Sequence, residues 1–200
     1  STLAGDAIVF CGLRIRRKAN GAFFLDQEAY ARDLIERHDL SNMNGSKIPI
    51  QPDEGEAMVA SEEDEPLKGE ELLMDPTVRN AQVIAGELLW LSQRSRPDLA
   101  YAVQRCCSFA TTEPLRTARI GKMVLRYLVT TAATGMYYPP ADELMAVRKD
   151  FVTEFEVEPF LAAYQPDSIV GFSDASFASN KEHSFGGFMI TIGGSPVSWK

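Results

Sequence analysis

The stretch Ile169-Val-Gly-Phe-Ser-Asp174, followed by Gly186 to Ile192, Gly193-Gly194 and Pro196 to Trp199, is the strongest indicator of fold class in this 200-residue chain. β-Branched and aromatic residues dominate the first two segments, and the paired glycines are typical of a hairpin turn. The pattern predicts three antiparallel strands in a row. Because a helix-rich region precedes these strands, the sequence predicts an α+β protein.

Asp174 is the carboxylate of this stretch that is placed for chemistry. It ends the first predicted strand, and the small residues Ala175 and Ser176 follow it. We therefore expect Asp174 at a rim that solvent and a metal ion reach. An isolated Asp after a strand is more often a turn former or a helix cap, so the residue alone does not identify a site.

The N-terminal region predicts a β-hairpin followed by a helix. Residues Ile8 to Arg17 are rich in β-branched and aromatic residues and are predicted to form one strand. Asn20-Gly21 predicts a tight turn with two positive-φ positions, and Ala22 to Leu25 provides the returning strand. Asp26 is predicted to cap a helix from Gln27 to His38.

Three further helices are predicted to pack as a small bundle: Val78 to Ser92, Asp98 to Phe109, and a helix that begins at Pro114. Residues 77–138 carry a net charge of +5 although the whole chain carries −8. Eight basic residues of this region are candidates to face phosphates: Arg79, Arg94, Arg96, Arg105, Arg116, Arg119, Lys122 and Arg126.

The acidic residues are concentrated in residues 51–76, where ten acids and one lysine give a net charge of −9. We expect a flexible insertion there, either a solvated loop or an acidic segment that binds a partner. Three cysteines form no disulfide framework and no CxxC pair, which favours a reducing intracellular location, cytoplasmic or nuclear. No run of residues has the length and apolarity of a membrane helix, so no membrane partner is expected.

Several stretches, taken in order, resemble copia-type LTR retrotransposon Pol polyproteins. The resemblance covers most of the chain except the acidic insertion and residues 140–168. It is carried by Phe10-Cys-Gly-Leu-Arg-Ile, Asp26-Gln-Glu-Ala-Tyr-Ala-Arg-Asp-Leu-Ile-Glu, Ala85-Gly-Glu-Leu-Leu-Trp-Leu, Ser95-Arg-Pro-Asp-Leu-Ala-Tyr-Ala-Val, Val124-Leu-Arg-Tyr-Leu and Ser184-Phe-Gly-Gly-Phe-Met-Ile-Thr-Ile-Gly-Gly-Ser-Pro-Val-Ser-Trp199.

The resemblance implies a division of the chain. Residues 1–50 correspond to the end of a reverse transcriptase, with a hairpin and a thumb helix, and residues 51–76 are the acidic insertion. Residues 77–138 are a helical connection, 139–168 a connector, and 169–200 the first three strands of a truncated ribonuclease H-like domain. The implied partners are an RNA–DNA hybrid or primer–template duplex and the rest of the polyprotein.

The implied site residues fall into two groups. Phosphate contacts are expected from Arg14, Arg16 and Arg17 on the hairpin and from Arg119, Lys122 and Arg126 on the third helix of the bundle. Ordinary solvated charges explain both sets equally well. Asp174 matches the family's first ligand for Mg²⁺ or Mn²⁺, and it is therefore the one candidate catalytic and metal-binding residue.

The resemblance also implies that this chain alone is inactive. The family's further metal-binding acids are expected after Lys200, and Asn180 lies where the family often has an acid. The polymerase motif Tyr-x-Asp-Asp does not occur in the sequence. We therefore expect part of a polymerase and ribonuclease H polyprotein that binds nucleic acid without complete catalytic sites. The alternative is a non-enzymatic remnant or recruited module that binds nucleic acid or protein.

Overall fold

The computed structural model describes residues 7–51, 75–143, 168–175 and 186–200. Most of the predicted acidic insertion and most of the predicted connector lie outside the described residues. The chain divides into two units: residues 1–25 and 136–200 form the first, and residues 26–135 form the second. Both helices and antiparallel strands are present, so the predicted α+β class is confirmed.

Four strands form the first sheet of the first unit, in the order β1-β2-β3-β4: Ala7–Phe10, Leu13–Arg17, Phe23–Asp26 and Met136–Tyr138. The prediction of one strand from Ile8 to Arg17 is wrong. Cys11 and Gly12 adopt φ angles of 48° and 75°, and the chain reverses there. Two consecutive left-handed residues make the tight turn whose twist suits an antiparallel hairpin, so β1 and β2 pair directly.

The turn between β2 and β3 differs from the predicted one. Gly21 has a φ of 88°, but Asn20 does not adopt a positive φ. The Gly21 amide donates to the Lys18 carbonyl at 3.0 Å, and the Lys18 amide donates to the Ala22 carbonyl at 2.7 Å. This is a three-residue loop with glycine in its left-handed position. The Asn20 side chain stabilises the loop, because its Oδ1 accepts a hydrogen bond from the Ala22 amide at 3.2 Å.

The second sheet of the first unit contains the strands predicted between Ile169 and Trp199. Its strands are β5, Ile169–Ala175, β6, Gly186–Ile192, and β7, Ser195–Trp199, in that order and antiparallel. Gly193 and Gly194 have φ angles of 54° and 80°, which confirms the predicted hairpin turn. The three predicted strands are therefore present in the predicted order.

The described residues of the second unit form a bundle of four helices: α1, Glu28–Arg37, α2, Pro76–Ser92, α3, Ala100–Ser108, and α4, Pro114–Thr131. A 3-10 turn over Pro97–Leu99 leads into α3. Prolines lie in the first turn of α2, of the 3-10 turn and of α4. Proline is well tolerated there, because a first-turn amide has no hydrogen-bond acceptor within its own helix. None of the described helices has both the length and the apolarity needed to cross a membrane.

Carboxylate side chains accept backbone amides at the beginning of two of these helices. Asp26 Oδ1 accepts the Glu28 amide at 3.1 Å, but Gln27 occupies the N-cap position, so the predicted N-cap is wrong by one residue because the helix begins at Glu28. Asp75 Oδ1 accepts the Thr77 amide at 2.7 Å at the start of α2. Each carboxylate satisfies an amide that has no partner within its helix.

The bundle core is formed by apolar stripes from all four helices. Gly121 of α4 faces Ile84 of α2, and a Cβ atom at residue 121 would lie 2.5 Å from Ile84 Cδ1. The absence of a side chain therefore lets these two helices pack tightly. The most deeply buried members of the core include Leu34, Leu88, Leu91, Leu99, Val103, Cys106, Ile120, Val124 and Leu128.

Candidate nucleic-acid interface

The arginines of β2 do not share one face of the first sheet. Arg16 pairs with Ala7 and Arg14 pairs with Val9 across the β1–β2 hairpin. Because side chains alternate along a strand, Arg14 and Arg16 lie on one face and Arg17 lies on the other. The sequence-based set of three arginines is therefore divided into a pair and a single residue.

Two aromatic side chains lie on the same face as Arg14 and Arg16. The Arg16 guanidinium carbon lies 5.1 Å from the centre of the Phe24 ring, and Lys18 Nζ lies 5.2 Å from the same centre. Phe24 in turn pairs with Tyr137 of β4. Cross-strand partners point to the same face. We call Arg14, Arg16, Lys18, Phe24 and Tyr137 the cationic face of the first sheet.

The Tyr137 ring is held by its hydroxyl group. Asn20 Nδ2 donates to this hydroxyl oxygen at 2.8 Å, and the hydroxyl donates to Glu143 Oε2 at 2.8 Å. The Tyr137 side chain nevertheless remains 40% exposed. Sequence reasoning missed both Phe24 and Tyr137, because it gave no pairing between β3 and β4, which are far apart in the chain. The strand pairing is the signal that identifies them.

The three basic candidates of α4 lie at helical spacing but have different surroundings. Arg119 and Lys122 are exposed. Arg126 is half-buried: its Nε donates to the Asn44 carbonyl at 3.1 Å, and its own carbonyl accepts the Ser46 amide at 3.0 Å. Arg126 therefore ties the segment after α1 to α4, and only part of its guanidinium remains for another ligand.

Three of the eight basic residues predicted to face phosphates are buried instead: Arg96, Arg105 and Arg116. Arg105 and Arg116 both contact the Phe109 ring, with guanidinium carbons 4.7 and 4.0 Å from its centre. For these three residues the prediction is wrong. Charge counting along the sequence does not distinguish a guanidinium that packs inside a bundle from one in solvent, because the aliphatic stem and planar head pack well on aromatic rings.

Asp174 lies at the exposed end of β5, opposite Gly187 of β6. Its Oδ1 accepts the Ala175 amide at 2.9 Å, which fixes the carboxylate near the strand end. The described residues of the second sheet, 168–175 and 186–200, contain no other carboxylate side chain. Across the described part of the whole chain, no three His, Cys, Asp or Glu residues form a group that could hold a metal ion.

These residues do not by themselves fit a pair of divalent cations. Such a pair needs several clustered oxygen ligands, because each hard cation takes about six. The described residues of the second sheet supply one carboxylate. They therefore account for one ligand of such a site and not for the site.

Comparison with known proteins identifies relatives along nearly the whole chain. The retrovirus-related Pol polyprotein from transposon RE1 of Arabidopsis thaliana is 25% identical over 95% of this chain and 11% of its own length. The corresponding RE2 polyprotein is 27% identical over 97% of this chain and 11% of its own length. A putative transposon Ty5-1 protein of Saccharomyces cerevisiae is 22% identical over 98% of this chain and 53% of its own length.

The predicted resemblance to copia-type retrotransposon Pol polyproteins is thus confirmed, at low identity. The chain spans about half of the yeast relative and a much smaller part of the two plant polyproteins. No protein-family model matches the chain. No solved structure matches it with significance.

Proposed function

We propose that this chain is a segment of a retrotransposon Pol polyprotein that joins the end of a reverse transcriptase to the start of a ribonuclease H domain. The observation that carries the proposal is the alignment of nearly the whole chain with Pol polyproteins from a plant and a yeast. The order of elements supports it: a basic hairpin, a helical bundle, and three antiparallel strands with Asp174 on the first.

The activity proposed for the segment is binding of an RNA–DNA hybrid or primer–template duplex through its phosphates. In the second unit the proposed contacts are Arg119, Lys122 and Arg126, and Arg126 Nε also donates to the Asn44 carbonyl. In the first unit they are Arg14, Arg16 and Arg17. Contacts of this type carry no sequence information and weaken as salt displaces them.

Filter binding to a labelled hybrid duplex at two salt concentrations tests this activity. We expect binding that falls steeply between roughly 50 and 200 mM salt, and Arg119→Gln or Lys122→Gln should each reduce the slope of log K against log salt by about 1. Arg32→Gln is the matched control, since Arg32 is an exposed helical arginine paired with Glu28 at 2.7 Å. Absence of binding at low salt would refute the proposal and favour a protein-binding or remnant module.

Asp174 is proposed as one Mg²⁺ or Mn²⁺ ligand of a ribonuclease H site whose other ligands the described residues do not supply. The purified chain should therefore leave a labelled RNA–DNA hybrid intact in Mg²⁺. Titration with Mn²⁺ should show equally weak metal binding to the parent chain and to Asp174→Asn. If the parent chain cleaved the hybrid and Asp174→Asn abolished the cleavage, Asp174 would belong to a complete set of metal ligands, and this proposal would be wrong.

A further inference from the structure

We propose that the cationic face of the first sheet binds an unpaired nucleic-acid strand, with Phe24 and Tyr137 contacting bases and Arg14 and Arg16 contacting phosphates. This inference rests on the proposed function and deepens it, because it assigns a second type of nucleic-acid contact to the first unit. It adds two aromatic residues to a surface for which sequence reasoning supplied only charges.

The first argument is the combination of groups on one face. Phe24 and Tyr137 are cross-strand partners, and Arg16 and Lys18 each lie within about 5 Å of the Phe24 ring centre. Surfaces that hold single strands combine cations that track the backbone with aromatic rings that stack on bases. Stacking accepts every base, so the face should bind without marked sequence preference.

The second argument is that the aromatic rings are not on the apolar face of the sheet. The pairings Ile8–Ile15, Phe10–Leu13 and Leu25–Met136 place these apolar side chains on the opposite face, which Arg17 shares. Phe24 and Tyr137 therefore share a face with Arg14 and Arg16, and Tyr137 is 40% exposed there.

The third argument is pre-organisation. Asn20 and Glu143 fix the Tyr137 hydroxyl from two sides, so the ring loses little freedom when a base stacks on it. Glu143 also places a negative charge beside Tyr137, which disfavours a phosphate there. The phosphates are therefore assigned to Arg14 and Arg16, toward the other edge of the sheet.

An unpaired strand is preferred over a duplex because its bases present open faces. In a duplex the bases are stacked on one another and offer only their edges in the grooves. A duplex would therefore engage the arginines of this face but not its aromatic rings. The two substrates can be distinguished by aromatic substitutions that leave every charge in place.

Fluorescence anisotropy with a labelled oligothymidine, and in parallel with a hybrid duplex of equal length, tests the inference on the full chain. Tyr137→Leu should weaken oligothymidine binding roughly 5- to 100-fold, the range expected for one lost base stack, and should leave duplex binding unchanged. Tyr101→Leu is the control, because Tyr101 is a 56% exposed tyrosine on α3. Tyr137→Phe should retain most of the affinity.

A pair of charge variants keeps the test independent of whether Tyr137→Leu folds. Arg16→Gln should weaken oligothymidine binding and lower its salt dependence, whereas Arg32→Gln, which removes an exposed arginine of α1 paired with Glu28, should change neither. Equal effects of these two variants, or of Tyr137→Leu and Tyr101→Leu, would overturn the inference. If oligothymidine binding is absent while the duplex still binds, only this inference fails; if neither ligand binds, the proposed function fails as well.

Discussion

Arg96 and Asp98 form a two-pronged ion pair, with Arg96 Nε 2.9 Å from Asp98 Oδ1 and Nη2 2.7 Å from Oδ2. The Arg96 side chain is only 1% exposed. Its Nη1 also donates to the Thr131 carbonyl at 2.8 Å, and the Tyr127 hydroxyl donates to Asp98 Oδ2 at 3.1 Å. The Ser-Arg-Pro-Asp stretch therefore joins the beginning of α3 to the end of α4.

We predict that Arg96→Ala lowers the free energy of unfolding by about 2–4 kcal/mol. The substitution removes a buried charged group with several hydrogen bonds and leaves the Thr131 carbonyl without this donor. Urea denaturation gives the measurement. Arg94→Ala is the control, since Arg94 is exposed and its guanidinium lies over the Trp90 ring. A loss no larger for Arg96→Ala than for Arg94→Ala would contradict the structural role.

The contact between α2 and α4 predicts opposite effects for two glycines. Gly121→Ala should cost about 1–3 kcal/mol, because the new methyl group would overlap Ile84 Cδ1 and Cγ1. Gly86→Ala should stabilise by about 0.5–1 kcal/mol, since a Cβ atom at this helical position meets no atom within 4 Å. Thermal unfolding of both variants checks the pair. Adding Ile84→Ala to Gly121→Ala should relieve part of the overlap.

The cysteines should differ in reactivity and in their effect on stability with pH. Burial, with a smaller effect of Cys107, raises the pKa of Cys106 to about 12 from an ordinary value of 9.0. Iodoacetamide should therefore modify the exposed Cys11 in the native protein and Cys106 only after unfolding. Rapid native labelling of Cys106, detected by peptide mass mapping, would be inconsistent with this packing.

The same shift in the pKa of Cys106 predicts a loss of stability in alkali. The folded protein retains the Cys106 thiol proton, which the unfolded chain releases above about pH 9. The contribution of this thiol to the free energy of unfolding is therefore complete below pH 9 and falls as pH rises toward 12. Cys106→Ala should reduce the slope of unfolding free energy against pH in this range. Parallel curves for the parent chain and the variant would show that Cys106 makes no such contribution.

Substitutions of Arg126 and Lys122 should affect stability and binding differently. Arg126→Gln should cost about 1 kcal/mol of unfolding free energy, because it removes the bond from Nε to the Asn44 carbonyl. Its effect on the salt dependence of hybrid binding should be smaller than that of Lys122→Gln, since Lys122 is exposed. Denaturation curves and filter binding on the same two variants test this, and a reversed order would place Arg126 in the interface.

Local patterns in the sequence predicted much of the fold. The Gly193-Gly194 turn and the prolines that begin α2 and α4 follow from single-residue conformational preferences, which act without tertiary context. The turn at Cys11 was missed because a non-glycine residue rarely adopts a positive φ. The strand pattern on both sides of Cys11 therefore resembled one longer strand.

The candidate site was predictable only in part, because the rest depends on contacts between distant residues. The alternation of Leu13 and Ile15 with Arg14 and Arg16 correctly indicated two faces of a strand. The pairing of Phe24 with Tyr137 depends on how the chain returns to the first sheet. The burial of Arg96 and Arg116 likewise depends on packing within the bundle, which a count of charges does not contain.

The pairing of Leu25 with Met136 gives the bundle a property useful in protein engineering. The chain leaves the first sheet after Asp26, the last residue of β3, and returns at Met136 of the adjacent strand β4, so the ends of the intervening segment are held close together. Because these ends are close, a short glycine–serine linker should replace the whole bundle without breaking the sheet. By the same reasoning, the excised bundle should tolerate circular permutation, with its original ends joined and new ones opened elsewhere.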